Sequence, residues 1–148
     1  MKKSWIAIFI ALGLFLGGCS LVEEASDTVN YVSEATNYMD EVNVFVNDVP
    51  AIASEAVTDE QTLIEFETRL HDMKDAIQSF NDVQPPEIAA DLHQQILDYN
   101  QRAEEGIDLY LENIKDGKLE PELLENTEVF QTFEDIRNIV EDIKQLGQ

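Results

Sequence analysis

The chain has 148 residues, of which 31 are Asp or Glu and 9 are Lys or Arg, so its formal net charge is −22 at pH 7. A charge this negative argues against nucleic acid and anionic lipid headgroups as partners, and it favours cationic ones. The single cysteine, Cys19, has no second thiol in the chain with which to form a disulfide.

The N-terminus carries a short apolar segment behind two lysines. Lys2 and Lys3 precede an uncharged run from residue 5 to residue 16. As a helix this run would measure about 18 Å, well short of the ~30 Å hydrocarbon core of a bilayer. A basic start, a short apolar run and small residues behind it are the parts of a secretory signal. We therefore predict that residues 1–18 are a signal peptide.

The end of this segment, Leu16-Gly-Gly-Cys19, resembles the bacterial lipobox. In that motif the cysteine thiol receives a diacylglyceryl group and a dedicated peptidase cleaves between Gly18 and Cys19. The alternative is an ordinary signal peptide with a bystander cysteine. Catalysis by Cys19 is disfavoured, because Glu23 and Glu24 are acidic whereas a nucleophilic thiol needs a base and a positive environment. Since two acyl chains hold a protein stably on a membrane, we predict that Cys19 is the lipid anchor.

Cleavage before Cys19 leaves residues 19–148 as a single acidic domain. Because it removes two lysines and no acidic residue, the net charge falls from −22 to −24. About 130 residues suffice for one domain with a hydrophobic core.

The mature sequence reads as four amphipathic helices, with apolar residues three and four apart. The first, from about residue 21 to 48, is expected to end or kink at Pro50. A capping box at Thr58–Gln61 predicts the start of the second, and Pro85-Pro86 predicts the start of the third. The fourth is expected within residues 122–146. Helices of about 22 to 28 residues with short connections indicate an all-α, antiparallel four-helix bundle.

Each predicted helix has a stripe of residues that we expect to be buried. The stripes are Tyr31, Ala35, Tyr38, Val42, Phe45 and Val49; Leu63, Phe66, Leu70, Met73, Ile77 and Phe80; Ile88, Leu92, Ile96, Tyr99, Ala103, Ile107, Tyr110 and Ile114; and Val129, Phe133, Ile136, Val140 and Ile143. Gly106 predicts either a close contact with another helix or a tolerated glycine. Lys115-Asp-Gly117-Lys118 is expected to close the third helix, and no strand is predicted.

The two histidines are the only candidates for a transition-metal site. Glu67, His71 and Asp75 are four residues apart and share a helix face, and His93 could join them from the next helix. Carboxylates at this spacing also arise by chance in so acidic a chain, so no metal site is predicted. The sequence has no nucleophile motif, phosphate-binding glycine loop or Cys–His pair. We therefore predict a non-enzymatic protein whose only attached group is the lipid.

The tyrosines Tyr31, Tyr38, Tyr99 and Tyr110 all fall on the predicted buried stripes. We expect each ring to pack in the core with its hydroxyl at the edge of the bundle. The alternative is that they line a groove for a small ligand.

Three features carry a resemblance to the small helical lipoproteins of Bacillus-like Firmicutes. They are the lipobox that ends at Cys19, the Phe45-x-x-Asp-x-Pro50 stretch and the Pro85-Pro86 helix start. The resemblance implies a location on the outer face of the cytoplasmic membrane and brings no known activity. In a Gram-negative cell, Ser20 would instead allow sorting to the outer membrane.

The function predicted from these features is binding or scaffolding of another envelope protein by a membrane-anchored, extracytoplasmic lipoprotein. One alternative is electrostatic sequestration of a cationic peptide or a basic wall hydrolase. Another is a small-ligand or metal-binding module that uses the core of the bundle. Nucleic acid is not expected as a partner.

Overall fold

Four α-helices make up most of the described chain. The computed structural model describes residues 19–115, 118–125 and 128–147. Helix α1 spans Cys19–Ala56, α2 Glu60–Asn81, α3 Ala90–Asn113 and α4 Glu128–Leu146. Short 3₁₀ helices, Glu87–Ala89 and Pro121–Glu125, precede α3 and α4. The predicted signal peptide and Gly18 of its cleavage site lie outside the described residues.

Helix α1 continues through Pro50 to Ala56 and has 38 residues, so of the two expectations for Pro50, an end or a kink, the structure excludes the end. Proline removes one backbone hydrogen bond from a helix, which favours a break. Burial on both sides of Pro50 opposes it, because Val49 and Ala53 are only 1% and 4% exposed while Pro50 itself faces solvent. Packing of an apolar face stabilises a helix more than local propensity does.

The cap of α2 is Asp59 and not Thr58, so the predicted capping box is wrong by one residue. The Asp59 carboxylate accepts hydrogen bonds from Thr62 N at 2.7 Å and from Thr62 Oγ1 at 2.8 Å. The Thr58 hydroxyl instead lies 3.4 Å from the carbonyl oxygen of Glu55, in the turn that ends α1. An aspartate fills this position well, since its carboxylate satisfies a free N–H in the first turn.

Aromatic contacts define the directions of the helices. The ring centroid of Phe80, at the end of α2, lies 6.2 Å from that of Tyr31 in the first half of α1. Phe133, at the start of α4, lies 5.1 Å from Phe45 in the second half of α1. Helices α2 and α4 therefore run antiparallel to α1. Helix α3 packs against both of them on the far side of the core. The predicted all-α four-helix bundle is confirmed.

The predicted buried stripes of α1, α2 and α4 are confirmed residue by residue, since all of their members are buried. On α3, Ile96, Ala103, Ile107 and Tyr110 are buried as predicted, whereas Ile114 is only half-buried.

At three other positions the predicted α3 stripe is wrong by one residue. The prediction placed Ile88, Leu92 and Tyr99 in the core, but Ile88 is 63% exposed and the other two are half-buried. His93 and Asn100, one residue further along, are buried instead. Polar side chains enter a core when they find hydrogen-bond partners there, and both do so on α1.

A short hairpin follows α3, although no strand was predicted. Strand β1, Ile114–Lys115, pairs antiparallel with β2, Lys118–Leu119. The expected lysine–glycine helix end falls at this turn, and its residues 116–117 lie outside the described residues. The hairpin is anchored by Leu119, which is 2% exposed.

Helices α3 and α4 approach closely at Gly106. A Cβ atom added to this glycine would lie 3.0 Å from Val129 Cβ and 3.1 Å from Val129 Cγ2. Of the two interpretations of Gly106, the structure therefore supports close helix contact.

Candidate functional site

A groove lies between α1 and α2 on the surface of the bundle. It has a volume of about 490 Å³. Its rim carries Glu34 and Glu41 from α1. Asp72 and Asp75 from α2 complete the rim. Tyr38 and Phe80 form part of its floor, and their rings stack with centroids 4.6 Å apart. We call this feature the α1–α2 groove.

A second cavity extends the α1–α2 groove towards the start of α1. It has a volume of about 330 Å³ and shares Glu34 and Val83 with the first. Asp27 adds a carboxylate to its wall, and Pro85 and Pro86 close its side. The two cavities therefore form one continuous surface feature along α1.

The walls of the groove carry only negative charge. No lysine or arginine is among the described residues that line either cavity. The sequence has no basic residue between Lys3 and Arg69, so α1 contributes none at all. Lys74 lies between Asp72 and Asp75 in the sequence, but its ammonium pairs with Asp108 of α3. This arrangement attracts cations and repels anions.

A hydrogen-bond network lies directly beneath the floor. The Tyr38 hydroxyl donates to Asn100 Oδ1, and Asn100 Nδ2 donates to Asn81 Oδ1 at 2.6 Å. One residue each from α1, α3 and α2 is thus joined inside the bundle. Burial raises the pKa of the Tyr38 hydroxyl, so it remains protonated and acts as a donor. The network positions Tyr38, which forms part of the floor.

A second buried pair lies seven residues earlier on both helices, about two turns away, beneath the smaller cavity. The Tyr31 hydroxyl lies 3.0 Å from His93 Nδ1. Desolvation raises the pKa of Tyr31 and lowers the pKa of His93, so both groups are neutral at pH 7. The distance suits donation from the hydroxyl to an imidazole that carries its proton on Nε2. Tyr31 and Tyr38 therefore direct their hydroxyls into the core, not to the edge of the bundle as predicted.

The four residues considered as metal ligands are not brought together. His71 and Asp75 are exposed on α2, and Glu67 is half-buried there. His93 is 5% exposed and bonded to Tyr31. Among the residues whose side chains the structure describes, no three of His, Cys, Asp or Glu lie close enough to hold a metal ion.

The sequence interpretation missed the carboxylates of the groove. It considered Asp75 only as a possible metal ligand. Two signals were available: the absence of any cation between Lys3 and Arg69, and the seven-residue spacing of Asp27, Glu34 and Glu41. The pairing of this row with α2 could not be predicted, because it depends on the packing of the two helices.

The predicted anchor, Cys19, is the first residue of α1. Of the helices in the described part of the chain, none combines the length and the apolar character needed to cross a bilayer.

Comparison with known proteins assigns the bundle to a family. A model described as a family of unknown function, DUF6376, matches residues 31–146, which include most of α1 and all of α2, α3 and α4. The chain belongs to this family. It is also similar to the uncharacterized lipoprotein YybP of Bacillus subtilis (strain 168), with 28% identity over 147 residues and 99% of each chain covered. No solved structure matches.

These relationships confirm the resemblance to uncharacterised Bacillus-like lipoproteins that the sequence motifs indicated. Because the relative is a lipoprotein and the match extends over nearly the whole chain, they also support membrane-anchored lipoprotein as the class of this protein.

Proposed function

We propose that this protein is a lipid-anchored binding protein of the cell envelope, which holds a partner protein in the α1–α2 groove without catalysing a reaction. Its lipid is attached to Cys19, and its bundle lies on the extracytoplasmic face of the membrane. The lipobox and the similarity to a lipoprotein support the anchor.

The observation that carries the binding role is the α1–α2 groove itself. Its floor is aromatic and its walls hold carboxylates that take part in no ion pair of the described residues. Like charges on facing walls repel each other, so this surface is destabilising unless a cation screens it. A partner that brings positive charge into the groove relieves the repulsion and contacts the apolar floor at the same time.

Two other functions remain as alternatives with distinct signatures. Capture of cationic peptides or a basic wall hydrolase by the overall negative field should collapse as the salt concentration rises from about 50 to 500 mM. If the protein is a metal-binding module, a chelator should lower its melting temperature, and His71→Ala should abolish this effect of the chelator. The groove favours a specific partner over both, because its charge surrounds a shaped cavity.

Affinity capture from gently solubilised envelopes tests the proposal. The bait is the tagged full chain, and the groove variant is Glu34→Gln together with Glu41→Gln, which keeps side-chain volume and removes charge. The matched control is Asp135→Asn with Asp142→Asn, two exposed acids also seven residues apart, on α4. We expect wild type and control to recover the same stoichiometric partner and the groove variant to lose it.

A Cys19→Ser bait tests the anchor in the same experiment. We expect it to leave the membrane fraction and to recover the partner poorly. Normal membrane retention of this variant would contradict lipid anchoring. Equal partner recovery by wild type and groove variant would contradict binding in the groove.

A further inference from the structure

Helix α1 carries an acidic residue at every seventh position along its length. These residues are Asp27, Glu34, Glu41, Asp48 and Glu55. Each of the last four immediately precedes a buried residue: Ala35, Val42, Val49 or Ala56. The row therefore runs along the border of the buried face, where coiled coils place the charges that select a partner helix.

The geometry of a helix keeps the first three acids of this row on one side. Seven residues rise about 10.5 Å and rotate only ~20° away from a full two turns. Asp27, Glu34 and Glu41 accordingly line the same groove, over a length of about 21 Å. Acids also recur every seven residues on α3, at Asp91, Asp98, Glu105 and Glu112, but on the side opposite its buried stripe.

No lysine or arginine of the described residues forms an ion pair with this row. Arg69 lines a small cavity with Glu41 and Asp72, but its ion pair is with Glu65, at 3.6 Å. In an antiparallel helix pair, a charge at this position normally meets an opposite charge on the neighbouring helix. Here the neighbouring helix presents Asp72 and Asp75 to the same groove, while Lys74 is engaged by Asp108. Asp27 and Glu34 therefore have no described cation in their groove, and Glu41 has only Arg69 nearby, which leaves the row open to positive charge from another molecule.

We infer that the α1–α2 groove receives a cationic helix of the partner protein, in which Lys or Arg recurs at seven-residue intervals. The inference rests on the proposed function and specifies the partner's chemistry. Only a helix that lies along α1 keeps the seven-residue register over Asp27, Glu34 and Glu41. Such a helix needs three basic residues within about four turns to pair with all three acids. Apolar residues between them would contact the floor beside Tyr38, Ala76 and Val83.

Two synthetic helical peptides of identical composition test this inference. Both have 21 residues, an alanine- and leucine-based helix and three lysines; one spaces the lysines seven residues apart and the other five apart. The five-residue spacing directs the lysines to different helix faces, because each residue turns the chain by about 100°. Binding to the lipidated full-length protein in neutral detergent is measured by fluorescence anisotropy at about 50 and 150 mM salt.

We expect the seven-spaced peptide to bind roughly ten-fold more tightly, since three aligned ion pairs add where scattered ones do not. Glu34→Gln with Glu41→Gln should remove this preference, and Asp135→Asn with Asp142→Asn should preserve it. All four side chains are exposed, so the variants should remain folded, which circular dichroism checks. Equal affinity for both peptides, or loss of the preference in the control variant, would overturn the inference.

The outcome can be separated from that of the proposed function. If neither peptide binds selectively while envelope capture still depends on Glu34 and Glu41, the cationic helix is wrong and the binding groove stands. If the groove variant changes neither assay, both are wrong.

Discussion

Tyr38 of α1 and Asn100 of α3 form a hydrogen bond across the core between two helices on opposite sides of the bundle. Tyr31 and His93 repeat the relationship seven residues earlier on both helices. The equal offset shows that α1 and α3 run parallel, as diagonal helices of an up-down-up-down bundle do. These two pairs join opposite sides of the core.

Loss of the Tyr38 hydroxyl should destabilise the bundle. Tyr38→Phe leaves Asn100 Oδ1 without its donor at a fully buried position, and an unsatisfied buried acceptor costs about 1–3 kcal/mol. Urea unfolding followed by circular dichroism measures the change. The matched control is Tyr99→Phe, whose half-buried ring lies on α3 next to Asn100 in the sequence. This variant should change stability by less than ~0.5 kcal/mol. Unchanged stability of Tyr38→Phe would show that this bond contributes nothing net.

His93 should make the bundle less stable in mild acid. Burial lowers its pKa below the ordinary value of 6.5, so the unfolded chain binds a proton before the folded one does. The stability due to neutral His93 is complete above pH 6.5, and it declines as the pH falls from 6.5 to the folded-state pKa. Urea midpoints of wild type and His93→Gln, compared between about pH 7.5 and 5.5, isolate this effect from the carboxylates.

The exposed histidine supplies the control for this measurement. His71→Gln should retain the pH dependence of wild type, because its side chain lies on the solvent side of α2. If the urea midpoint of His93→Gln changed with pH as much as that of wild type, the pH dependence would belong to other groups.

The contact between Gly106 and Val129 should reverse the usual effect of replacing a helical glycine. Gly→Ala inside a helix normally gains about 1 kcal/mol. Here the new methyl would meet Val129 Cβ at 3.0 Å, and overpacking costs roughly 1–3 kcal/mol. We expect Gly106→Ala to lower stability in wild type and to raise it in a Val129→Gly background, because only glycine at position 129 removes the contacting Cβ atom. Thermal melts of the four proteins give the coupling, and additive effects would mean that α4 moves aside freely.

The first turn of α2 should depend on Asp59 and hardly on Thr58. Asp59→Ala removes the acceptor for Thr62 N and should lower the melting temperature, whereas Thr58→Ala should leave it nearly unchanged. The hydrogen bonds from Thr62 lower the pKa of Asp59, so its stabilising effect is present above the ordinary value of 3.8 and is lost as the pH falls below it. A larger fall in melting temperature for Thr58→Ala than for Asp59→Ala would instead support the capping box predicted at Thr58–Gln61.

The sequence predicts well those parts of the fold that depend on apolar spacing. Helix α2 is the simplest case, since its six buried residues are the six that the three–four alternation selects. Helix α3 shows the limit of the method. Counting apolar residues favoured Leu92 and Tyr99, but the core accepts His93 and Asn100 because tyrosines 62 residues earlier provide their partners.

Pro50 and the groove show why the rest could not be predicted. A local rule ends the helix at proline, whereas the burial of Val49 and Ala53 against other helices decides otherwise. The predicted anchor motif at Cys19 is local, since a few neighbouring residues carry it. The groove exists only after α1 and α2 pack, so its carboxylates were visible in the sequence merely as negative charge.

The unbroken course of α1 also determines where a partner must present itself. Because the helix begins at Cys19 and continues to Ala56, the proposed anchor residue and the groove share one axis without a hinge. Asp27 lies eight residues after Cys19, so the groove begins about 12 Å along that axis, more than one Debye length of ~8 Å from the anchor. With α1 upright on the membrane, a lipid-anchored molecule of this shape would hold its groove at a fixed distance from the bilayer surface. It could engage only those neighbours whose basic helix stands equally clear of the headgroups.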